Sequence, residues 1–201
     1  MLNKEPCMKP LSREDLLPLE TYARERNDFR HKVMAHKKIR QVQLSEHTRL
    51  LFEDRLTIHY QIQEMLRAEK IFEAEGINDE LAAYNPLIPD GDNWKATFLV
   101  EYPDVEQRKV ALAQLVNVED RVWAQVSGCE KIWAIADEDM ERSTAEKTSS
   151  VHFLRFQLSP AMVAAVKSGA AIGFGIDHNS LNVTIEAVND ACRASLASDL
   201  Q

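Results

Sequence analysis

Leu51–Asn93, LFEDRLTIHYQIQEMLRAEKIFEAEGINDELAAYNPLIPDGDN, is the stretch on which the fold turns. At about 100° per residue, Ile58, Ile62, Met65, Leu66 and Phe72 fall on one helical stripe, with Glu69 near its centre. Leu56, Tyr60 and Ile71 form a second apolar patch on the far side, with Glu64 beside it. The spacing predicts a long helix over 54–74, buried on two faces and stopped at Gly76. A short helix over 79–84 and the rigid turn Asn85-Pro86-Leu87-Ile88-Pro89-Asp90-Gly91 follow. A carboxylate facing a core is costly unless it is paired, hydrogen-bonded, metal-bound or protonated, so Glu64 and Glu69 are where a site is sought first.

Toward the N-terminus the reading stays helical. Ser12 is placed to cap a first turn, Pro18 suits a helix start, and Tyr22, Phe29, Val33 and His36 follow one stripe. Val42, Leu44 and Arg49 to Phe52 suggest a short hairpin. Beyond Asn93 the runs become short, β-rich and turn-bounded: strands are expected over 95–102, 119–126, 131–136, 151–158, 170–176 and 182–185. Helices fall between them over 105–116, capped by Asp104, and over 160–167, with Ser159 as cap, Pro160 in the first turn and Gly169 as stop. Three central strands without crossover helices disfavour a parallel sheet. The expected class is α+β: a mainly helical part, 1–93, packed on an antiparallel or mixed sheet, 94–201, with helices on one face and a ferredoxin-like flavour. The two parts are read as one continuous unit.

Composition sets the outer limits. The 201 residues carry Lys+Arg 24 against Asp+Glu 32, a net charge of -8 that argues against a general nucleic-acid binder. The start, MLNKEPCMKPLSRED, lacks the apolar run of a signal peptide and no later stretch reads as a membrane span, so no membrane and a cytoplasmic address are expected. Cys7, Cys129 and Cys192 lie far apart without a C-x-x-C pair, as reduced thiols would; Cys7 is expected exposed and Cys192 buried on the last helix. Charge is uneven: Arg24 to Arg40 holds seven bases against two acids, and Glu53 to Glu80 eight acids against three bases. These segments either pack on each other or offer patches to a partner.

The segments LSREDLL, AHKK, LLFEDRLTIHYQIQEMLRAEKIFEAEGINDELAAYNPLIPDG, KTSSVHFLRF and GIDH together resemble an uncharacterised bacterial family, domain of unknown function 3501, over nearly the whole chain. Where the family continues GIDH with Pro, this chain has Asn179. The resemblance implies genes beside those for rubrerythrin and an iron-sulfur oxidoreductase, and hence a role in peroxide defence or electron transfer.

No motif names a reaction. Asp28-Phe29-Arg30-His31 is the one acidic-x-x-His spacing, whereas a carboxylate-bridged di-iron bundle needs two Glu-x-x-His units and two further Glu. Nucleotide-binding glycine loops and G-x-S-x-G are missing, and no Cys is visibly paired with His. Histidines and carboxylates remain. His36 continues the Phe29, Val33 stripe inward, His152 shares a strand face with Leu154 and Phe156, and His178 follows Asp177 at a strand end. The candidate metal ligands are therefore His36, Glu64, Glu69, His152 and His178, with Arg67, Asn85 and Asp177 as polar support and iron, zinc or manganese as the metals such donors suit. Each has a plain alternative: a bonded core histidine, a Glu64 to Arg67 ion pair, a Glu69 pair with the basic first helix, or a turn at Asn85 and at Asp177. Two functions follow. The first is a non-catalytic accessory protein of a cytoplasmic redox system, partnered by a rubrerythrin-like or iron-sulfur protein. The second is a metal-binding protein or metal-dependent enzyme. A homo-oligomer is expected if one chain covers only one face of the long helix.

Overall fold

The computed structural model describes residues 9–201 apart from Glu141 and Ala145; the expected exposure of Cys7 concerns a residue outside that range. The Asp15 carboxylate accepts the Ser12 N–H at 2.7 Å and closes a 3-10 turn over Arg13–Asp15. Pro18 then leads into α1 (Leu19–Lys38), whose Tyr22 and Val33 are fully buried, with Phe29 and His36 half-buried on the same stripe. The expected hairpin follows as β1 (Gln41–Gln43) and β2 (Thr48–Glu53).

Asp54 accepts the Thr57 N–H and starts α2 (Arg55–Ala68). This helix ends earlier than its pattern suggests. Lys70 turns left-handed at φ 57°, and the Ile71 N–H bonds back to the Leu66 carbonyl at 2.9 Å, the bond that closes a Schellman turn. A new helix, α3 (Ala74–Tyr84), begins four residues later with Gly76 in its first turn. Gly76 is therefore a close approach rather than a stop: a Cβ there would lie 2.8 Å from Ile71 Cγ2. The break leaves Glu69 exposed and Phe72 71% exposed, so neither belongs to the buried stripe. Burial on two faces is nevertheless real. Ile58, Ile62 and Leu66 pack with Leu11, Leu81 and Ile88, while Tyr60 meets Phe29 of α1 at 6.0 Å between ring centroids. Both faces are covered within one chain, which meets internally the apolar demand that suggested a homo-oligomer.

Antiparallel pairing holds throughout, in two sheets rather than one. The first runs β1, β2, β3 (Asn93–Val100), β7 (Val151–Gln157) and β6 (Ile135–Ala136), taking two strands from the part before residue 93. The second runs β5 (Ile132–Trp133), β4 (Val122–Val126), β8 (Ile172–His178) and β9 (Leu181–Ile185). The order strand, helix, strand, strand, strand, helix, strand is present from β3 through α4 (Val105–Gln114) and α5 (Pro160–Lys167) to β8, with the middle strand of the three split into β5 and β6, and β3 pairs with β7. Unlike a single ferredoxin-like sheet, β4 and β8 pair with each other. The expected strand over 131–136 is divided between the sheets, with buried Ala134 at the corner donating its N–H to the Val122 carbonyl. Across the shared core Phe174 of β8 meets Phe52, Phe156 and Trp94 at ring-centroid separations of 5.0, 5.7 and 5.9 Å. A last helix, α6 (Asp190–Ala197), buries Cys192 and closes the core. Among the described residues no helix is long and apolar enough to cross a membrane.

Candidate metal centre

Alternation along β7 turns His152, Leu154 and Phe156 to the core, as their spacing predicts, and His152 has no exposed surface. An imidazole placed so deep needs partners on both nitrogens. Asp137, just past β6 in a left-handed conformation at φ 49°, lies 2.6 Å from Nδ1 through its Oδ2. Around Nε2 are Thr148 Oγ1 at 2.8 Å, the Ser149 carbonyl at 3.1 Å and Glu119 Oε2 at 3.7 Å. Glu119, in the 3-10 turn Val118–Arg121, also accepts hydrogen bonds from the hydroxyls of Thr148 and Ser143. Ligand atoms of Glu119, Asp137 and His152 lie within 4.8 Å of one another.

Both ring nitrogens thus face hydrogen-bond acceptors. The Thr148 hydroxyl has one proton and lies within reach of both Glu119 and Nε2, while Ser143 donates to the other oxygen of the carboxylate; with the Thr148 proton on Glu119, Nε2 faces only acceptors and is filled by its own proton or by a cation. Asp137 has no oxygen to spare: Oδ1 takes the Phe153 N–H at 3.0 Å and Arg142 at 3.1 Å, and Oδ2 takes the ring. This leaves Asp137 to orient the imidazole, as carboxylates do behind metal-bound histidines, and leaves Nε2 and Glu119 as the pair that could hold a metal, with two hydroxyls beside them. Acid crowds this corner. Burial, reinforced by Glu119, pushes the neighbouring Asp120 carboxyl above its usual range.

The other expected ligands are placed elsewhere, and the five do not converge. His36 Nε2 bonds Asp54 Oδ2 at 2.5 Å. Burial works against ionisation of Asp54, but the His36 bond and the Arg40 charge prevail and hold it below the usual range. Glu64 takes both nitrogens of the Arg26 fork at 2.7 and 2.6 Å and the Tyr22 hydroxyl at 2.6 Å, while Arg67 is exposed. Glu69 is the exposed C-terminal cap of α2 and has left the core with the early helix end. His178 faces the Val116 carbonyl with Nε2 and accepts the Ser180 N–H on Nδ1, so its ring lone pair is spent; Asp177 accepts from Asn182. Asn85 pairs with both backbone groups of Leu11, which ties the N-terminal segment to the turn.

Of the five, then, His152 alone stands in the cluster, and Glu119, Asp137 and Thr148 were not legible as its partners. Asp137 sits in an acidic loop and Glu119 at a strand edge, positions that read as solvated surface in a linear sequence. A family model described as "Protein of unknown function (DUF3501)" matches residues 10–200. A comparison with curated proteins gave no match. The crystal structure of a novel protein of unknown function from Burkholderia pseudomallei aligns at TM-score 0.92 and 52% identity, covering 96% of this chain and 100% of that one.

Proposed function

The chain belongs to the DUF3501 family, and we propose that it is a metal-binding protein whose centre is His152 and Glu119, with Asp137 orienting the imidazole. One observation supports this above others: a fully buried imidazole nitrogen lies beside a carboxylate oxygen, a backbone carbonyl and the Thr148 hydroxyl, which also reaches that carboxylate. A divalent cation at Nε2 would replace the proton that position otherwise requires. One imidazole among oxygen donors suits iron, zinc or manganese.

Linkage supplies the test. Urea unfolding is compared in a chelator and in zinc or manganese at about 100-fold over its Kd, where a site confined to the folded state adds about 2.7 kcal/mol. Wild type is expected to show that gain and Glu119→Gln, which keeps the side-chain shape, to lose most of it. Equal stability of wild type with metal and with chelator contradicts the assignment.

A second reading, an accessory protein docking on a rubrerythrin-like or iron-sulfur protein, is favoured by one feature. Phe72, 71% exposed, borders a groove lined by Leu16, Leu19, Leu66, Ile71 and Ile77. If a partner seats there, Phe72→Asp abolishes co-sedimentation with purified rubrerythrin; wild type that fails to co-sediment rejects this partner.

A further inference from the structure

On the outer face of the first sheet, β3 and β7 place Lys95 directly opposite Arg155. Like charges opposed across an antiparallel pair are destabilising, so the arrangement calls for an anion. A third cation, Arg142, lies over the Phe153 ring at 4.6 Å. All three line one cleft of about 470 Å³, together with the carboxylates of Glu138 and Asp139 and the apolar surfaces of Ala83, Pro86, Leu87 and Phe153. That size lies within the range of small-molecule sites.

The three cations are largely buried, and the carboxylates that meet Lys95 and Arg155 are more exposed than they are. Side-chain exposure is 13% for Lys95, 15% for Arg142 and 21% for Arg155. For Asp90, Asp139 and Glu138 it is 65%, 53% and 50%, whereas Arg142 has a second, buried partner in Asp137, 9% exposed, at 3.1 Å. Glu138 occupies the Arg155 fork with both oxygens, at 2.7 Å each, which shows that this fork is set for a carboxylate. The Glu138 carboxylate is half exposed, so an incoming carboxylate can take its place on the fork, one charge-assisted pair exchanged for another.

We propose that this cleft binds a small organic carboxylate with an apolar body, whose head group takes the Arg155 fork from Glu138 beside Lys95 and whose body lies on Phe153 and Leu87. The cleft meets the metal centre at one point, the Arg142 to Asp137 pair at 3.1 Å, while the Arg155 fork that would take the carboxylate bonds Glu138 and Gln157. Calorimetric titration with octanoate, 1-octanol and octylamine tests it. Octanoate is expected to bind at one site, at least about tenfold more tightly than the alcohol or the amine. Arg155→Gln should weaken octanoate about tenfold or more, while Glu138→Gln, at an exposed position that leaves the fold intact, should tighten it by removing the internal competitor. Glu119→Gln should leave it unchanged, which separates this site from the metal centre. The proposal is overturned by 1-octanol binding as tightly as octanoate, by octanoate failing to saturate a site, or by Glu138→Gln binding no tighter than wild type.

Discussion

Glu64 accepts from both nitrogens of the Arg26 fork and from Tyr22 across the α1 to α2 contact. The Arg26 bonds, helped by Tyr22 and opposed by partial burial, bring its carboxyl from the usual 4.5 down to about 2. A carboxylate whose pKa is lower in the folded state stabilises fully above its unfolded value and loses that contribution as pH falls through the folded one. Glu64 should therefore stabilise α1 on α2 above about pH 4.5 and cease to do so near pH 2. With the pair partly solvated, the contribution is on the order of 1–2 kcal/mol. Urea unfolding of wild type and Glu64→Gln checks it: the gap between them should be open at pH 7 and closed near pH 2, and a gap independent of pH contradicts the pairing. Glu69→Ala should change stability by less than about 0.5 kcal/mol, as expected of an exposed cap. Helical spacing located Glu64 correctly, beside Tyr60 on the face turned to α1. It failed for Glu69 because the axis itself stops at Ala68.

That stop rests on a single lysine in a left-handed conformation, a state carrying no compositional signal when the residue is not glycine. Lys70→Gly removes the Cβ penalty at this position and should stabilise the fold by roughly 0.5–1 kcal/mol, read from the midpoint of urea unfolding. On β8, by contrast, a glycine is required by its neighbour. A Cβ at Gly175 would lie 2.3 Å from Trp123 Cζ2 and 2.4 Å from the Val183 carbonyl oxygen, one a ring and the other backbone. Gly175→Ala is expected to cost about 1–3 kcal/mol, and an unchanged thermal midpoint would show that the indole does not lie over this strand. Elements with complete local signals were read to the residue: α5 begins at Pro160 behind Ser159 and ends at Lys167 before left-handed Gly169. The segment over 131–136 reads as one strand because Ile132, Trp133 and Ile135 are β-prone and no glycine or proline interrupts them. Its division between two sheets depends on partners, Val122 and Arg155, that the local sequence does not contain.

Across the whole molecule, Arg40 joins the first and last parts of the chain. Almost fully buried, it donates to the Phe52 and Glu53 carbonyls of β2, to Ser195 in α6, and to both oxygens of Asp199 at 3.2 and 2.6 Å. Arg40→Ala leaves Asp199 buried without its counter-charge and is expected to cost roughly 3–5 kcal/mol in urea unfolding. No spacing in the sequence relates Arg40 to Asp199, just as none relates His152 to Glu119 or Asp137. Inward histidines were legible from periodicity, whereas the carboxylates that meet them are fixed by chain crossings. The placement of a metal at that buried meeting point is tested most directly by crystals soaked in zinc, with diffraction recorded at the zinc edge. An anomalous peak about 2 Å from both His152 Nε2 and a Glu119 oxygen, absent in Glu119→Gln, is the predicted result. Zinc bound only at surface residues, with no peak beside His152, would contradict the centre.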